Sequence, residues 1–451
     1  MPGSDVKPGR LSPEEIARNF DDMHPPLSRP EALIEADRCY FCYDAPCTTA
    51  CPTDIDIPGF IQKIRSDNIQ GSAETILGEN VMGGMCARVC PTEVLCEEAC
   101  VRNTHEDKPV NIGLLQRYAT DPIFENGTQV FERAEASGRT IAVVGGGPAG
   151  LSCAHRLAML GHNVVIFSRD SKLGGLNEYG IAAYKTVNDF AQREVEWILE
   201  IGGIEVRTDT SLGEDVTLSE LREEFDAVFL GFGLGGVNDL DLANENTDGV
   251  CNAVDFIASL RQADNMGSLP IGRRVIVIGG GMTAVDVAVQ SKCLGSEEVQ
   301  IVYRRGPENM GASDFEQAFA QTSGVSIRHW AAPVKLETED EITRVHFENT
   351  EIDNNGKLVT TGEVWSADAD IVFKAVGQAI DHDTLGDACE SIGQQAGKLT
   401  VDEERRTSLD GVWAGGDCIY GHDDLTVTAV QDGKLAALSI DRHLRTETGN
   451  G

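Results

Sequence analysis

The chain has 451 residues, of which 41% are hydrophobic and 24% are charged, so it is long enough for two to four globular domains. Its formal net charge of −36 argues against nucleic acid or an anionic membrane as partner, because both carry charge of the same sign. No run of about 18 apolar residues and no signal-peptide core occurs, so we expect a cytoplasmic protein whose cysteines stay reduced. The acidity fits either a host with high internal salt or an ordinary acidic protein.

Residues 1–138 are predicted to form a small helical domain. Ser12, Pro13 and Glu15 have the spacing of a capping box at the start of a short helix. From Arg29 to about Tyr118 the apolar residues follow helical spacing, without strand-like alternation. We therefore expect this domain to contain helices only.

Cysteine dominates the helical domain. Eight of the chain's 13 cysteines lie here: Cys39, Cys42, Cys47, Cys51, Cys86, Cys90, Cys96 and Cys100. Cys51 is followed by proline, and a CxxxCP ending is typical of ferredoxin-like runs whose last cysteine binds a different cluster. Tetrahedral zinc is the alternative, since CxxC pairs also bind zinc. Iron–sulfur clusters are favoured because redox modules follow in the chain.

A first dinucleotide-binding unit is predicted from residue 139 onward. A buried strand at residues 140–144 leads into a GxGxxG loop and a helix, and the loop residues are Gly145, Gly147, Pro148, Ala149 and Gly150. Such glycines allow a pyrophosphate to approach the backbone at a helix N-terminus. The next strand ends in Ser168 and Arg169, where an acidic residue would be expected to bind ribose, so Ser168 is left to make one hydrogen bond there.

A second strand–loop–helix unit begins at residue 274. Its loop residues are Gly279, Gly281, Met282, Thr283 and Ala284. The following strand ends in Arg304 and Arg305, which would attract a 2′-phosphate and so favour NADPH over NADH. The alternative is a pair of solvated surface arginines.

The two units lie about 130 residues apart, which predicts two doubly wound folds. Each is followed by a strand that ends in glycine, at Gly233 and Gly377. A Gly-Gly-Asp segment ending at Asp417 and a helix from about Thr426 come last. Together these motifs resemble the flavoproteins with two dinucleotide-binding domains.

That resemblance implies an α/β protein in which a small all-α iron–sulfur domain precedes two doubly wound, Rossmann-like domains, the second inserted in the first. The first would bind FAD and the second NAD(P)H, with Gly416 and Asp417 at the ribityl chain and Thr426 and Val427 facing the flavin. Hydride transfer needs juxtaposed rings more than a protein acid or base, so no catalytic side chain is assigned. The implied domains are 1–138 for the clusters, 139–260 and 379–451 for FAD, and 261–378 for NAD(P)H.

The cysteine region resembles the N-terminal domain of dihydropyrimidine dehydrogenase. The similarity rests on the runs CYFCYDAPCTTACPTDIDIPGFI, CARVCPTEVLCEEAC and NIGLLQR, and it continues over nearly the whole chain. It implies two 4Fe-4S clusters, one held by Cys39, Cys42, Cys47 and Cys100 and the other by Cys51, Cys90, Cys96 and Gln116. An amide ligand at Gln116 leaves the second cluster less negative. Cys86 would have no ligand role.

The same resemblance implies flavin contacts at Gly175, Leu176 and Lys185. Ser168 and Ala182 depart from the family pattern, in which glutamate and proline are usual. The small subunit of glutamate synthase has the same architecture, but its pattern shortens the gap from Cys90 to Cys96 and usually has glutamate at position 116.

Family members reduce pyrimidines at an FMN inside a (β/α)8 barrel, which needs about 200 residues or more. The two dinucleotide folds occupy the chain after residue 139, so we expect the pyrimidine site on a partner subunit with FMN and further clusters. The chain resembles the NAD(P)H-oxidising subunit of bacterial two-subunit enzymes and is expected in a hetero-oligomer. A glutamate synthase-type subunit and a redox-sensing iron–sulfur flavoprotein are the alternatives.

Overall fold

The computed structural model describes residues 11–339, 342–381, 384–386 and 391–448. Residues 11–139, all of them described, form helices and no strand, as predicted. The helices are α1 (Pro13–Asn19), α2 (Arg29–Ala36), α3 (Pro46–Thr49), α4 (Ile57–Arg65), α5 (Ile69–Glu79), α6 (Gly83–Val89), α7 (Asn103–Glu106) and α8 (Ile112–Asn126), with a 3-10 turn at Thr92–Val94. The predicted capping box is confirmed, since Ser12 Oγ accepts from the Glu15 amide and the Glu15 carboxylate accepts from the Ser12 amide.

Strands and helices alternate in the next region. They are β1 (Thr140–Val144), α9 (Pro148–Met159), β2 (Asn163–Phe167), α10 (Leu176–Tyr179), α11 (Phe190–Leu199), β3 (Ile204–Arg207), α12 (Leu218–Glu224), β4 (Ala227–Leu230) and β5 (Gly236–Val237).

A second alternating region contains a β-meander. Its elements are β6 (Val250–Asn252), α13 (Ala253–Arg261), β7 (Arg274–Gly279), α14 (Met282–Cys293), β8 (Glu298–Val302), α15 (Asp314–Thr322), β9 (Ser326–Arg328), β10 (Ala331–Glu339), β11 (Ile342–Ile352), β12 (Leu358–Ala369), β13 (Ile371–Ala375) and β14 (Gln378–Ala379), with 3-10 turns at Met266–Ser268 and Pro307–Asn309. The C-terminal region adds β15 (Gln394–Gln395), β16 (Lys398–Leu399), β17 (Val412–Ala414) and α16 (Thr426–Thr448).

The chain divides into two compact units. The described residues of the main unit fall within 24–178, 188–236 and 379–448, and those of the insert unit within 11–23, 179–187 and 237–378. The chain therefore crosses between the units after residues 23, 178, 187, 236 and 378. The predicted insertion of one dinucleotide fold into the other is confirmed.

The main unit is built on a parallel sheet in the order β17-β4-β1-β2-β3. Strands β1 and β4 are buried over most or all of their length, which matches their continuous apolar sequence. Helices α9 and α16 pack against each other, and a Cβ on Gly433 of α16 would lie 2.2 Å from the Ala149 carbonyl oxygen of α9. Only glycine allows this close approach.

The insert unit contains a second parallel sheet, in the order β6-β13-β7-β8-β9, and the antiparallel meander β10-β11-β12. Residues 237–260, assigned from the sequence to the first part of the FAD domain, lie in this unit. The reason is local packing, because β6 pairs with β13 and Ala253, Ile257 and Leu260 of α13 are buried in the core of the insert unit.

Within the described ranges, no helix has both the length and the apolar character that a membrane span requires.

Candidate functional site

The first glycine loop has the geometry of a dinucleotide cradle. Gly145 has a φ of +104°, and a Cβ there would lie 2.2 Å from the Gly231 carbonyl oxygen. A Cβ on Gly150 would lie 1.9 Å from the Gly145 carbonyl oxygen, so strand and helix approach closely. Gly147 is the N-cap of α9 and Pro148 is its first residue. The free amides at the start of α9 therefore face the loop, which suits a pyrophosphate.

Other predicted flavin residues lie around this loop. Ser168 is buried at the end of β2, and its Oγ lies 3.2 Å from where a Gly146 Cβ would stand. Gly175 has a φ of +53° and packs on Gly147, while a Cβ on Gly416 would lie 3.0 Å from that of Ala149. The fold thus brings together residues from three separate segments around one helix N-terminus.

Three further predicted flavin residues are exposed to solvent or have open space beside them. Arg169 is exposed, and its Nε lies 3.7 Å from an Asp170 oxygen. Leu176 begins α10 and is 36% exposed. Gly233 has a φ of +68° with open space beside it.

Asp432 is a functional candidate that the sequence did not reveal. Its side chain is fully buried, with Oδ1 accepting from Arg405 Nε at 2.7 Å and Oδ2 accepting from the Gly416 amide at 2.9 Å. The carboxylate therefore positions the segment that presents Asp417. Burial, with contributions from Asp424 and Asp432, raises the pKa of Asp417 to about 6 although Lys398 opposes the shift.

The start of α16 is tied to the N-terminal helices. Thr426 Oγ1 donates to Asn177 Oδ1 at 2.8 Å, and Val427 is buried. Asn177 Nδ2 lies 3.9 Å from Met82 Sδ, one residue before α6. Asn177, which the sequence analysis missed, thus connects the predicted flavin-facing helix to the cysteine region.

The second glycine loop lies in the insert unit and resembles the first in its backbone geometry. Gly279 has a φ of +144°, and a Cβ there would lie 2.1 Å from the Ala375 carbonyl oxygen. Gly281 is the N-cap of α14, so Met282 and Thr283 begin the helix, and Ala284 is fully buried. Gly377, with a φ of +97°, follows β13.

The two arginines predicted to attract a 2′-phosphate lie beside this loop. Tyr303 packs against Gly280, where a Cβ would lie 2.5 Å from its ring. Arg304 and Arg305 follow directly and are exposed. Within the described residues, neither guanidinium takes part in an ion pair. Both cations are therefore accessible to a ligand.

Lys185, predicted as a flavin contact, lies in the insert unit behind α14. Its Nζ lies 2.8 Å from an Asp286 oxygen and 2.9 Å from a Glu316 oxygen. Asp286 also accepts from the Tyr184 hydroxyl at 3.1 Å, and all these side chains are buried or nearly so. The ammonium thus holds residues 179–187 on the insert unit, and its flavin role stays a prediction.

Four cysteines line one cavity in the helical region. They are Cys39, Cys42, Cys47 and Cys100, and apolar residues such as Ile61 and Val110 form much of the wall. Burial raises the pKa of Cys39, with contributions from Cys42 and Cys100, and raises that of Cys47 to about 12, with contributions from Cys39 and Cys100. Cluster binding would therefore displace protons from closely spaced thiols.

A second group contains Cys51, Cys90 and Cys96. Burial raises the pKa of Cys90, with contributions from Cys86, Cys96 and Cys51. Gln116 on α8 is buried, and its Nε2 donates to the Gly83 carbonyl oxygen of α6 at 2.7 Å. Oε1 is therefore the amide atom left to coordinate iron. The influence of Cys51 and Cys96 on Cys90 shows that these three thiols lie near one another, and both ligand sets stay predictions.

Cys86 is buried close to the second group, and burial raises its pKa. Among the described residues, no group of three or more cysteine, histidine or acidic side chains has an arrangement that could hold a single metal ion.

Two buried ionisable side chains, one on α16 and one on α11, contact the helical region within the main unit. Lys434 Nζ of α16 donates to the Thr53 carbonyl oxygen at 3.1 Å and lies 2.9 Å from a Glu79 oxygen. Glu194 Oε1 of α11 accepts from the amides of Gly84 and Met85 at 2.9 and 3.0 Å. These contacts fix the loop after Cys51 and the start of α6.

Comparisons with known proteins match two parts of the chain to two families. Residues 16–128 match the family described as dihydropyrimidine dehydrogenase domain II, 4Fe-4S cluster. Residues 139–433, well over half of the chain, match the pyridine nucleotide-disulphide oxidoreductases. The chain belongs to the pyridine nucleotide-disulphide oxidoreductase family. This oxidoreductase adds a 4Fe-4S-type domain to a fold that binds flavin and nicotinamide cofactors.

Curated relatives of this oxidoreductase cover almost its whole length. It is 34% identical over 425 residues to the NAD-dependent dihydropyrimidine dehydrogenase subunit PreT homolog of Salmonella typhi, covering 94% of this chain and 97% of the relative. It is 33% identical over 449 residues to the glutamate synthase [NADPH] small chain of Escherichia coli strain K12, covering 93% of each. FprA of Mycobacterium tuberculosis in complex with NADPH shares the fold, with a TM-score of 0.57, 20% identity, and coverage of 69% of this chain and 86% of that chain.

Proposed function

We propose that this oxidoreductase takes electrons from NAD(P)H and passes them singly, through FAD and two 4Fe-4S clusters, to a partner subunit that reduces uracil or thymine. When bound, the flavin would accept a hydride and the clusters would carry one electron each, a conversion that nicotinamide cannot make alone. The observation that carries the proposal is the junction in the main unit, where Lys434 of α16 contacts Thr53, two residues after Cys51.

The insert unit would bind the nicotinamide cofactor at the loop of Gly279 and Gly281. The accessible Arg304 and Arg305 would bind a 2′-phosphate, because guanidinium groups match phosphate oxygens in charge and geometry. This feature favours NADPH. The names of the two curated relatives differ on this point, one being NAD-dependent and the other an NADPH enzyme.

The main unit would bind FAD along α9. The amides after Gly147 would face the pyrophosphate, Ser168 would reach the ribose, and Asp417 would accept a hydrogen bond from the ribityl chain. Asp432 would hold the Gly416 segment in place for this contact.

The four-cysteine cavity would hold one of the two clusters. Tyr40 lines this cavity and is 51% exposed, and Tyr43 nearby in the sequence is fully exposed. Exposed aromatic residues beside a redox site are typical of a protein contact surface. We therefore place the electron exit at Cys39, Cys42, Cys47 and Cys100, and the entry at the group with Gln116.

We place the pyrimidine site on an FMN-containing barrel partner in a cytoplasmic hetero-oligomer. Residues 16–128 and 139–433 match the two families, and a relative is named as a subunit. Clustered reduced thiols also suit the cytoplasm.

The second candidate is a glutamate synthase-type small subunit, favoured by the 33% identical E. coli relative. It predicts a glutamine amidotransferase as the partner. A redox-sensing role is the third candidate. It would be indicated by low cluster potentials and by no NAD(P)H oxidation with artificial acceptors.

The deciding experiment is anaerobic purification of the chain with its natural partner. About eight irons, matching sulfide and one FAD per chain are expected from two 4Fe-4S clusters, together with NAD(P)H-dependent uracil reduction. Stoichiometric zinc without labile sulfide would overturn the cluster assignment. Glutamine-dependent glutamate formation would select the second candidate.

A further inference from the structure

We infer that Lys434 raises the reduction potential of the cluster held by Cys51, Cys90, Cys96 and Gln116, and so favours electron transfer from the flavin to that cluster. The inference rests on the proposed function. It adds a role for a side chain that belongs to the flavin-facing helix and contacts the cluster-binding region.

The contacts run from α16 to a predicted cluster ligand. Cys51 Sγ lies 3.3 Å from Thr53 Oγ1, and Thr53 is fully buried. The Thr53 carbonyl oxygen accepts from Lys434 Nζ at 3.1 Å. The ammonium is thus one buried residue away from the thiolate that would bind iron.

A fixed positive charge at this place stabilises the reduced cluster, because reduction adds one negative charge. Glu79 opposes this effect, since its carboxylate lies 2.9 Å from Lys434 Nζ. The Glu79 side chain is 49% exposed, however, whereas that of Lys434 is 10% exposed. Water screens the carboxylate more than the ammonium, so a net positive influence on the cluster remains.

The influence is specific to one cluster. Lys434 Nζ contacts the carbonyl oxygen of Thr53, two residues after Cys51, and the carboxylate of Glu79. Lys434 also lies two residues after Asp432, which positions the flavin-binding Gly416 segment. One turn of α16 therefore acts on both cofactor sites.

The test is a redox titration of the purified holoenzyme, followed by electron paramagnetic resonance. Lys434→Met is expected to shift the electron's equilibrium between FAD and the second cluster about tenfold toward FAD, equivalent to 59 mV for a one-electron couple. Glu79→Gln is expected to raise the potential of the same cluster. Lys434→Arg keeps the positive charge, so its cluster potential is expected to match that of the wild type. Gln116 is a predicted ligand of this cluster only, so the paramagnetic resonance signal that changes in the Gln116→Glu variant is assigned to it.

Lys63→Met serves as the matched control. It makes the same substitution at a lysine of α4 whose Nζ contacts the hydroxyl of Thr75 and not Thr53. It should leave both potentials unchanged. Unchanged potentials in Lys434→Met, or equal shifts of both clusters, would overturn the inference. If Lys434→Met loses its cofactors, the sign of the shift in Glu79→Gln decides: no rise refutes the inference. Wild-type protein without iron and FAD would instead refute the proposed function.

Discussion

The Gln116 Nε2 donates to the Gly83 carbonyl oxygen at 2.7 Å, which leaves Oε1 as the amide atom for the proposed bond to iron. Replacing the amide by leucine removes the oxygen and leaves a carbonyl without its donor. We expect Gln116→Leu to lower the iron content from about eight to about four per chain while FAD is retained. Iron, sulfide and flavin analysis of the same preparation measures this. Gln70→Leu on the surface of α5 is the control, and full iron content in Gln116→Leu would exclude the amide as a ligand.

Arg304 and Arg305 should determine the cofactor preference. Since one hydrogen bond to a charged group contributes about 1.5–3 kcal/mol, replacing both arginines by alanine should raise the KM for NADPH roughly 100-fold or more. The KM for NADH should change little. Steady-state reduction of an artificial acceptor measures both. Arg344→Ala, which removes an exposed arginine paired with Asp368, is the control. Equal losses with the two cofactors would show that the pair does not bind the phosphate.

Glu194 should make stability depend on pH. Burial raises its pKa from the ordinary 4.5 to about 8, although the Met85 and Gly84 amides and Arg88 oppose the shift. The folded state therefore holds a proton that the unfolded state releases, so the stabilisation is complete below about pH 4.5 and is lost as the pH rises to about 8. The slope for this group is at most about 1.4 kcal/mol per pH unit.

Glu194→Gln should flatten this dependence while still accepting from both amides. The measurement is the difference in thermal unfolding midpoint between variant and wild type at pH 5.5 and pH 7.5, which should favour the variant more at the higher pH. Glu196→Gln, exposed on the same helix, is the control. A difference that does not change with pH would contradict the prediction.

Asp432→Asn should weaken FAD binding. The substitution keeps the shape but leaves Arg405, whose side chain is only 11% exposed, without its carboxylate. Breaking such a buried pair costs about 3–5 kcal/mol, and the Gly416 amide loses a charged acceptor. We expect substantial loss of flavin on gel filtration, measured as FAD per chain. Asp423→Asn, on the exposed loop before α16, should keep its flavin; if Asp432→Asn does so too, Asp432 does not position the flavin segment.

The sequence was sufficient to predict the two parallel folds, because a glycine loop between a buried strand and a helix is a local pattern. It was insufficient for the contacts that join the segments. Lys434 and Thr53 are 381 residues apart, and Glu194 and Gly84 are 110 apart. Neither Lys434 nor Glu194 belongs to a motif, and only tertiary packing brings these two side chains to their partners. Lys185 illustrates the same limit, because its pairing with Asp286 and Glu316 has no local signature.

The order of strands in the main unit has a consequence for synthesis on the ribosome. Strand β4 is flanked by β1 and by β17, whose residues 412–414 are made last of the sheet. The insert unit, by contrast, ends at residue 378. We infer that the insert unit can fold before the main unit is complete, while the edge of β4 that pairs with β17 is still unpaired. Nascent chains that stop before residue 412 would expose this edge and tend to aggregate.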